Sequence, residues 1–287
     1  MFDGVIEVRN GRKVGYAEYG PKGGYPVVLF HGTPGSRFQV FAHLATRELQ
    51  EVSIIVPERP GYGLSDVQHQ RSLFDHAADI QTLVTHLGIQ RFSVIGISGG
   101  APYALACAKA LPECIERVSI LCGVGPLNDP ELLVECDELE QALIARSKAA
   151  DQYIAQMVAA AQHAPEAVIQ QIYASLPPTD QALISKDMLS VLLDTFLEGL
   201  CIPDGMVDDY IVLAKPWDFS LHDIQAPVHL WHSTADHKIG IRHAEYIASQ
   251  VPNAVLHKIS NIGHIGTPFA CIQQVLNYIR TGAVATM

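Results

Sequence analysis

The 287-residue sequence predicts an α/β fold, with a mostly parallel, doubly wound sheet and one helical insertion. Between residues 26 and 122, short apolar runs alternate with helical patterns, as a parallel sheet with helices on both faces requires. This alternation stops over residues 126–215 and resumes at residue 228. We therefore expect a core domain built from residues 1–125 and 216–287, interrupted by a helical lid at residues 126–215.

The elements are predicted in chain order from hydrophobic spacing and turn residues. Asn10-Gly11, between Val5–Val8 and Lys13–Tyr19, is a strong hairpin signal. Apolar, β-branched runs predict strands at Pro26–Phe30, Val52–Val56, Arg91–Ile97, Val118–Cys122, Val228–His232 and Val255–Ile259. Helical spacing predicts helices at Phe38–Leu49, Leu73–Leu87, Ala101–Leu111, Ile241–Val251 and Thr267–Ile279. Within the insertion, Pro130–Ala161 predicts a long helical stretch, and Pro177-Pro178 and Pro203-Asp-Gly205 predict breaks.

Composition narrows the class of protein. Hydrophobic residues make up 48% and charged residues 17% of the chain, as is typical of a globular protein. The formal net charge of −11 argues against binding to nucleic acid or to an anionic membrane surface, which both need clustered Lys and Arg. The six cysteines form no C-x-x-C pair, and no apolar run approaches membrane-spanning length or resembles a signal peptide. We therefore expect a cytoplasmic protein with a small-molecule substrate, no metal and no cofactor.

The segment Gly96-Ile-Ser-Gly-Gly100 carries the candidate nucleophile, Ser98. It joins a predicted buried strand directly to a predicted helix, which forces a strained turn that glycines tolerate. This is the pattern of a nucleophile elbow, which exposes a hydroxyl above the sheet edge and presents the following N–H to developing negative charge. Because a G-x-S-x-G match is also compatible with an ordinary turn, the assignment depends on partners for the serine.

Two later residues supply such partners, because loops at the carboxyl ends of parallel strands meet at one edge of the sheet. Asp236 follows the strand that ends near His232, and His264 follows the strand that ends near Ile259. The order Ser98, Asp236, His264 is that of a nucleophile, an acid and a base. The competing acids are Asp218 and Asp223, which precede the strand, and the competing histidines are His237 and His257. His264 is preferred because glycines flank it, leaving room for its imidazole over Ser98.

These motifs resemble those of the α/β-hydrolase superfamily, from about residue 10 to the end of the chain. The family's oxyanion loop is similar to His31-Gly-Thr-Pro-Gly35. The loop after its fourth strand is similar to Arg59-Pro-Gly-Tyr-Gly-Leu-Ser65. The helical insertion lies where the family has its lid, after the sixth strand. The resemblance implies an oxyanion hole built from the backbone N–H groups of Thr33 and Gly99. We expect His31 to be a structural residue that hydrogen-bonds within this loop rather than a second base. Serine at position 98 argues against the epoxide hydrolases and haloalkane dehalogenases of the family, which have aspartate there.

The leading hypothesis is a serine hydrolase that cleaves a carboxylic ester or thioester of a small, largely apolar substrate through an acyl-enzyme at Ser98. A proline-iminopeptidase-type aminopeptidase is an alternative, because the insertion begins with a group of acids; however, Thr33 replaces a glycine of that branch's H-G-G-P-G loop. These acids are Asp129, Glu131, Glu135, Asp137, Glu138 and Glu140. Lyase or C–C hydrolase chemistry on the same scaffold, or a binding protein without catalysis, also stays open. The sequence leaves the substrate, the oligomeric state and the pocket-lining residues undetermined.

Overall fold

The computed structural model describes residues 2–39, 51–145 and 148–284, and its central element is an eight-stranded sheet. The strands are β1 (Phe2–Glu7), β2 (Lys13–Tyr19), β3 (Tyr25–Phe30), β4 (Val52–Pro57), β5 (Phe92–Ile97), β6 (Ile115–Leu121), β7 (Val228–Ser233) and β8 (Ala254–Ile259). Their order is β1-β2-β4-β3-β5-β6-β7-β8. The β1–β2 and β2–β4 pairs are antiparallel and the other pairs are parallel, which confirms the predicted mostly parallel sheet.

Helices lie on both sides of the sheet and in the insertion between β6 and β7. They are α1 (Leu73–His86), α2 (Ala101–Ala110), α3 (Pro130–Leu133), α4 (Glu138–Ala145), α5 (Lys148–His163), α6 (Pro165–Ser175), α7 (Pro178–Leu183), α8 (Lys186–Leu200), α9 (Pro203–Leu213), α10 (Arg242–Gln250) and α11 (Gly266–Thr281). The predicted helix at Phe38–Leu49 falls almost entirely on residues outside the described ranges.

Strand β5 occupies the centre of the sheet, and all six of its residues are buried. A strand buried on both faces needs apolar side chains on both, which explains why its sequence is mostly apolar rather than alternating, with Ser93 as the one polar residue. On one face the core includes residues of α1, α2 and α10. On the other face it includes residues of α11, among them Val275 and Ile279. These two layers hold the carboxyl end of β5 in a fixed position.

The insertion, which we define as α3 to α9, has apolar clusters of its own. One includes Leu143 and Met206, and another includes Ile169 and Leu192. Both predicted breaks fall at helix starts, since α7 and α9 have proline in their first turn, where its missing N–H costs nothing. The division into core and lid at residues 125/126 and 215/216 stays a prediction.

The prediction of one continuous helical stretch over Pro130–Ala161 is wrong, because the chain leaves the helix after α3. Cys136 forms an isolated antiparallel bridge with Ile239, and the N–H of Asp137 donates to the carbonyl of Lys238. These backbone groups therefore pair with the loop after β7 instead of continuing a helix, and α4 begins afresh at Glu138. Tertiary hydrogen bonding overrides local helix propensity here. Within the described ranges, no helix is both long and apolar enough to cross a bilayer.

Candidate active site

Ser98 lies in a tight turn, Ser98–Gly100, between β5 and α2. Its φ is 51°, which is in the left-handed region that non-glycine residues seldom adopt. The glycines on either side are required by close packing. A Cβ built on Gly96 would lie 2.9 Å from the Cα of Ala101, and one on Gly100 would lie 2.2 Å from the carbonyl oxygen of Phe30. Close packing around the turn therefore holds Ser98 in its strained backbone conformation, as at many functional sites.

The structure brings the three predicted triad residues together in one hydrogen-bonded chain. The hydroxyl oxygen of Ser98 lies 2.9 Å from Nε2 of His264, and Nδ1 of His264 lies 2.7 Å from Oδ2 of Asp236. His264 is slightly exposed towards the cavity above Ser98, whereas the carboxylate of Asp236 is buried. With Nδ1 donating to Asp236, Nε2 is left free to accept the serine proton.

The environment of Asp236 keeps its carboxylate ionised. Its Oδ1 accepts backbone N–H groups from Lys238 and Ile239, both at 3.0 Å. Burial alone would favour the neutral acid, but His264 and His232, together with these hydrogen bonds, hold the pKa of Asp236 below its ordinary value. Nε2 of His232 lies 3.5 Å from Oδ2, and burial lowers the pKa of His232. A charged Asp236 beside a His264 that can become an imidazolium is the arrangement that general-base catalysis requires.

The backbone of Thr33 faces the turn that carries Ser98. A Cβ built on Gly99 would lie 3.4 Å from the Thr33 nitrogen and 2.4 Å from its hydroxyl oxygen, so glycine at position 99 allows the two loops to approach. Among the described residues, no acceptor takes the N–H of Thr33. The N–H of Gly99 lies at the start of the helical turn after Ser98. The N–H groups of Thr33 and Gly99 therefore stay the candidate donors of the predicted oxyanion hole.

A buried arginine, Arg59, holds the loop that carries Thr33. Its guanidinium donates to the carbonyl oxygens of His31 and Gly32 and to the hydroxyl of Thr33. His31 is also buried. Its Nδ1 lies 2.9 Å from the Gly32 carbonyl oxygen, and its Nε2 accepts a hydrogen bond from the backbone N–H of Arg59. Burial, followed by the charge of Arg59, holds the pKa of His31 well below its ordinary value. His31 is therefore a neutral structural residue, and its packing fixes the direction of the loop's peptide groups.

Asp209 of α9 connects this loop to the insertion. Its fully buried carboxylate accepts hydrogen bonds from Arg59 and Arg71, and from the hydroxyl groups of Thr33, Tyr62 and Tyr103 at 2.8–2.9 Å. Burial favours the neutral acid, but the two arginines outweigh it and lower the pKa of Asp209. With five partners, the carboxylate is fully satisfied, as a buried charge must be.

Asp180 of α7 makes a corresponding contact with the loop that carries His264. Its side chain is fully buried, Oδ1 accepts the N–H of Gly263 at 2.6 Å, and Oδ2 accepts the N–H of Gly266 at 2.8 Å. A Cβ built on Gly263 or Gly266 would lie 2.5–2.6 Å from this carboxylate. The glycines flanking His264 therefore make room for the carboxylate of Asp180.

A cavity of about 520 Å³ opens above Ser98 and His264, between the sheet edge and the insertion. Apolar side chains predominate in its lining and come mainly from the insertion and from the start of α11: Leu139, Leu143, Met157, Ile172, Leu176, Leu192, Phe196, Met206, Ile265 and Phe269. Some other apolar residues of the insertion do not line the cavity. Ile154 and Ile169 belong to the insertion's internal clusters, and Leu132 is buried beside Gly125.

Several of the acids at the start of the insertion are paired with cations. Glu140 is buried; it lies 2.5 Å from the ammonium group of Lys238 and accepts a hydrogen bond from the hydroxyl of Tyr210. Asp137 lies 3.7 Å from the same ammonium. Asp137, Glu140 and Lys238 all line the cavity. One end of an otherwise apolar cavity is thus polar, with one ammonium group shared between two carboxylates.

Three of the residues that hold the site together were not predicted from the sequence: Arg59, Asp209 and Asp180. Arg59 belongs to a recognisable loop motif, but a motif alone does not indicate what its guanidinium binds. The available signal for Asp209 was an acid in the middle of a mostly apolar helix. For Asp180 the signal was the glycine pair that flanks His264.

The sequence model of the α/β-hydrolase fold family matches residues 25–269, so the chain belongs to this family and is a hydrolase. The family and fold predicted from the motifs are confirmed.

Individual relatives agree with this assignment. An uncharacterized hydrolase of Bacillus subtilis (strain 168) is 26% identical over 88% of this chain and 89% of its own length. A proline iminopeptidase of Xylella fastidiosa (strain 9a5c) is 31% identical, but over only 45% of this chain and 42% of that protein. The solved structure of a thermophilic esterase from Thermogutta terrifontis superposes with a TM-score of 0.70, at 19% identity, over 98% of this chain and 97% of that one. At that identity the likeness shows the fold alone.

Proposed function

We propose that the protein is a serine hydrolase that cleaves carboxylic esters or thioesters of small, largely apolar molecules. The observation that carries the proposal is the hydrogen-bonded chain from Ser98 through His264 to Asp236 at the base of the cavity. The apolar lining of the cavity supports an apolar substrate, since burying apolar surface supplies binding energy of about 25 cal/mol per Å². A volume of about 520 Å³ is in the range of small-molecule sites.

In the acylation step, Ser98 Oγ attacks the carbonyl carbon while Nε2 of His264 takes its proton. The N–H groups of Thr33 and Gly99 would donate to the resulting oxyanion, and Asp236 stabilises the imidazolium. When the intermediate collapses, the bond to the alcohol or thiol breaks, and His264 returns the proton to that leaving group.

Deacylation repeats these steps with water in place of the serine. His264 takes a proton from water, whose oxygen attacks the acyl carbon, and the bond to Ser98 Oγ breaks. The carboxylic acid leaves, and the proton on His264 passes to Ser98 Oγ, restoring the resting enzyme. All steps use side chains, backbone N–H groups and water.

Hydrolysis of p-nitrophenyl acetate and butyrate tests this proposal. We expect turnover by the unmodified protein, and for S98A and H264A a loss of kcat/KM of at least about 10³-fold, since these two residues act as one unit. S249A is the matched serine control, because Ser249 is exposed on α10 and its hydroxyl bonds locally, to the carbonyl of Tyr246 and the side-chain amide of Gln250. A fluorophosphonate should label the unmodified protein and S249A, but not S98A.

Two results would contradict the proposal. The first is ester hydrolysis that persists unchanged in S98A, and the second is a failure of the fluorophosphonate to label Ser98. A burst of p-nitrophenol equal to the enzyme concentration would identify an acyl-enzyme and so exclude lyase chemistry as the source of the activity.

An aminopeptidase of the proline-iminopeptidase type is a second candidate, and one observation favours it. Asp137 and Glu140 line the cavity, where a carboxylate could hold a substrate ammonium. Against it, Glu140 is already paired with Lys238. The test compares a proline arylamide with its N-acetylated form: faster cleavage of the free amine would favour the peptidase, and equal rates would eliminate it.

A further inference from the structure

The carboxylate of Asp180 binds the backbone on both sides of His264. Asp180 belongs to the insertion, yet both of its oxygens accept backbone N–H groups of the loop that carries His264, one residue before it and two residues after it. The 2.6 and 2.8 Å distances are those of hydrogen bonds to a charged acceptor. The peptide groups on both sides of the imidazole are therefore held by one side chain.

No cation pairs with this carboxylate among the residues described, and its side chain is fully buried. A buried carboxylate without a cation is costly unless its oxygens are hydrogen-bonded. Gly266 is the first residue of α11, where the helix dipole favours negative charge. The arrangement stabilises Asp180 only while the insertion and the His264 loop are docked, so their positions are coupled.

We propose that Asp180 is a positioning residue that sets the catalytic geometry of His264 and makes that geometry depend on docking of the insertion. The inference rests on the proposed function of His264 as the general base. Asp180 does not contact the imidazole through a hydrogen bond; it acts through Gly263 and Gly266, so its loss displaces Nε2 relative to Ser98 rather than removing a reacting group.

The direct test is hydrogen exchange of the resting protein, which needs no substrate. In D180N, the amide NH₂ faces one of the two N–H donors, so one of the two hydrogen bonds is lost while the side-chain volume is kept. We expect peptides covering residues 260–268 to exchange at least about tenfold faster than in the unmodified protein. D208N is the matched control: Asp208 is a buried carboxylate of the same insertion, but it faces His69 and Arg71 instead of the His264 loop.

Ester kinetics provide the second readout, with p-nitrophenyl acetate as a probe. A displacement of about 1 Å at a catalytic group costs about 100-fold in rate, so we expect kcat of D180N to fall about 10- to 100-fold with KM changed less than about threefold. G266A disturbs the same contact by changing the His264 loop instead of the carboxylate. Its Cβ would lie 2.5 Å from the carboxylate, whereas alanine is otherwise favoured over glycine in a helix. We expect G266A to reproduce both effects and D208N to show neither.

Unchanged exchange at residues 260–268 in D180N and G266A would overturn the inference, even if their melting temperatures fall, because Asp180 would then be a purely structural residue. Faster exchange with unchanged kcat would also overturn it, because the contact would not then set the position of His264. If no variant and not even the unmodified protein hydrolyses the ester, the proposed function fails instead, and the exchange data alone decide whether Asp180 holds the loop.

Discussion

Replacing Asp236 by asparagine should inactivate the protein by fixing the wrong tautomer of His264. Oδ1 of Asp236 already accepts two backbone N–H groups, from Lys238 and Ile239. In D236N the amide oxygen is therefore held at the Oδ1 position, and the NH₂ group points at Nδ1 of His264. Nδ1 must then accept, the ring proton moves to Nε2, and Nε2 can no longer take the proton of Ser98.

The size of the effect follows from the alternative orientation of the amide. Turning the amide round would restore the correct tautomer, but it would leave both backbone N–H groups facing an NH₂. Each unsatisfied buried donor costs about 1–3 kcal/mol, so the productive orientation is disfavoured by about 2–6 kcal/mol. The residual activity is proportional to the fraction of molecules in the productive orientation. We therefore expect kcat/KM to fall between about 30-fold and about 10⁴-fold. The corresponding substitution in chymotrypsin-like serine proteases, which also fixes the wrong tautomer, lowers kcat by about 10⁴-fold, at the upper end of this range.

Steady-state hydrolysis of p-nitrophenyl butyrate measures this loss, with D223N as the control. Asp223 also lies close to β7, but it is half exposed and pairs with Lys109 at the surface, so D223N should stay within about twofold of the unmodified protein. If D236N keeps more than about a third of the activity while its fold is intact, Asp236 does not act by selecting the tautomer of His264.

Two further predictions concern stability. D209N leaves Arg59 and Arg71 buried beside a neutral group, so its free energy of unfolding in urea should fall by about 3–5 kcal/mol, and an unchanged value would contradict the role of Asp209. Burial lowers the pKa of His76 to about 3, so below pH 6.5 the unfolded chain takes up a proton that the folded protein does not, and stability falls with decreasing pH. H76F removes this contribution and should lose about 1 kcal/mol less stability between pH 6 and pH 5; equal losses would show that His76 is protonated in the fold.

The proximity of Ser98, Asp236 and His264 could be predicted from the sequence because their positions follow from the topology of the sheet. A parallel sheet brings the carboxyl ends of its strands to one edge, so a glycine-bounded serine after β5, an acid after β7 and a histidine after β8 had to lie close together. The hairpin of β1 and β2 was equally predictable, since Asn10 and Gly11 both adopt positive φ.

The contacts of Asp180 and Asp209 could not be predicted, because they depend on how the insertion helices pack over the sheet. Asp180 binds backbone N–H groups, which almost every residue carries, so no side-chain pattern marks its partners. Asp209 binds side chains from three distant segments, with sequence separations of more than 100 residues. The break before α4 was missed for the same reason, since Cys136 pairs with a residue on the far side of the insertion.

The ion cluster around Asp209 also determines how this scaffold could be re-engineered. Arg59 and Arg71 belong to the core, whereas the carboxylate that neutralises them comes from the insertion. A chimaera carrying the insertion of another hydrolase would bury two uncompensated guanidinium groups, unless it supplied an acid at this place or the arginines were replaced at the same time. Substrate specificity can therefore be exchanged between such enzymes only together with the electrostatic contacts between insertion and core.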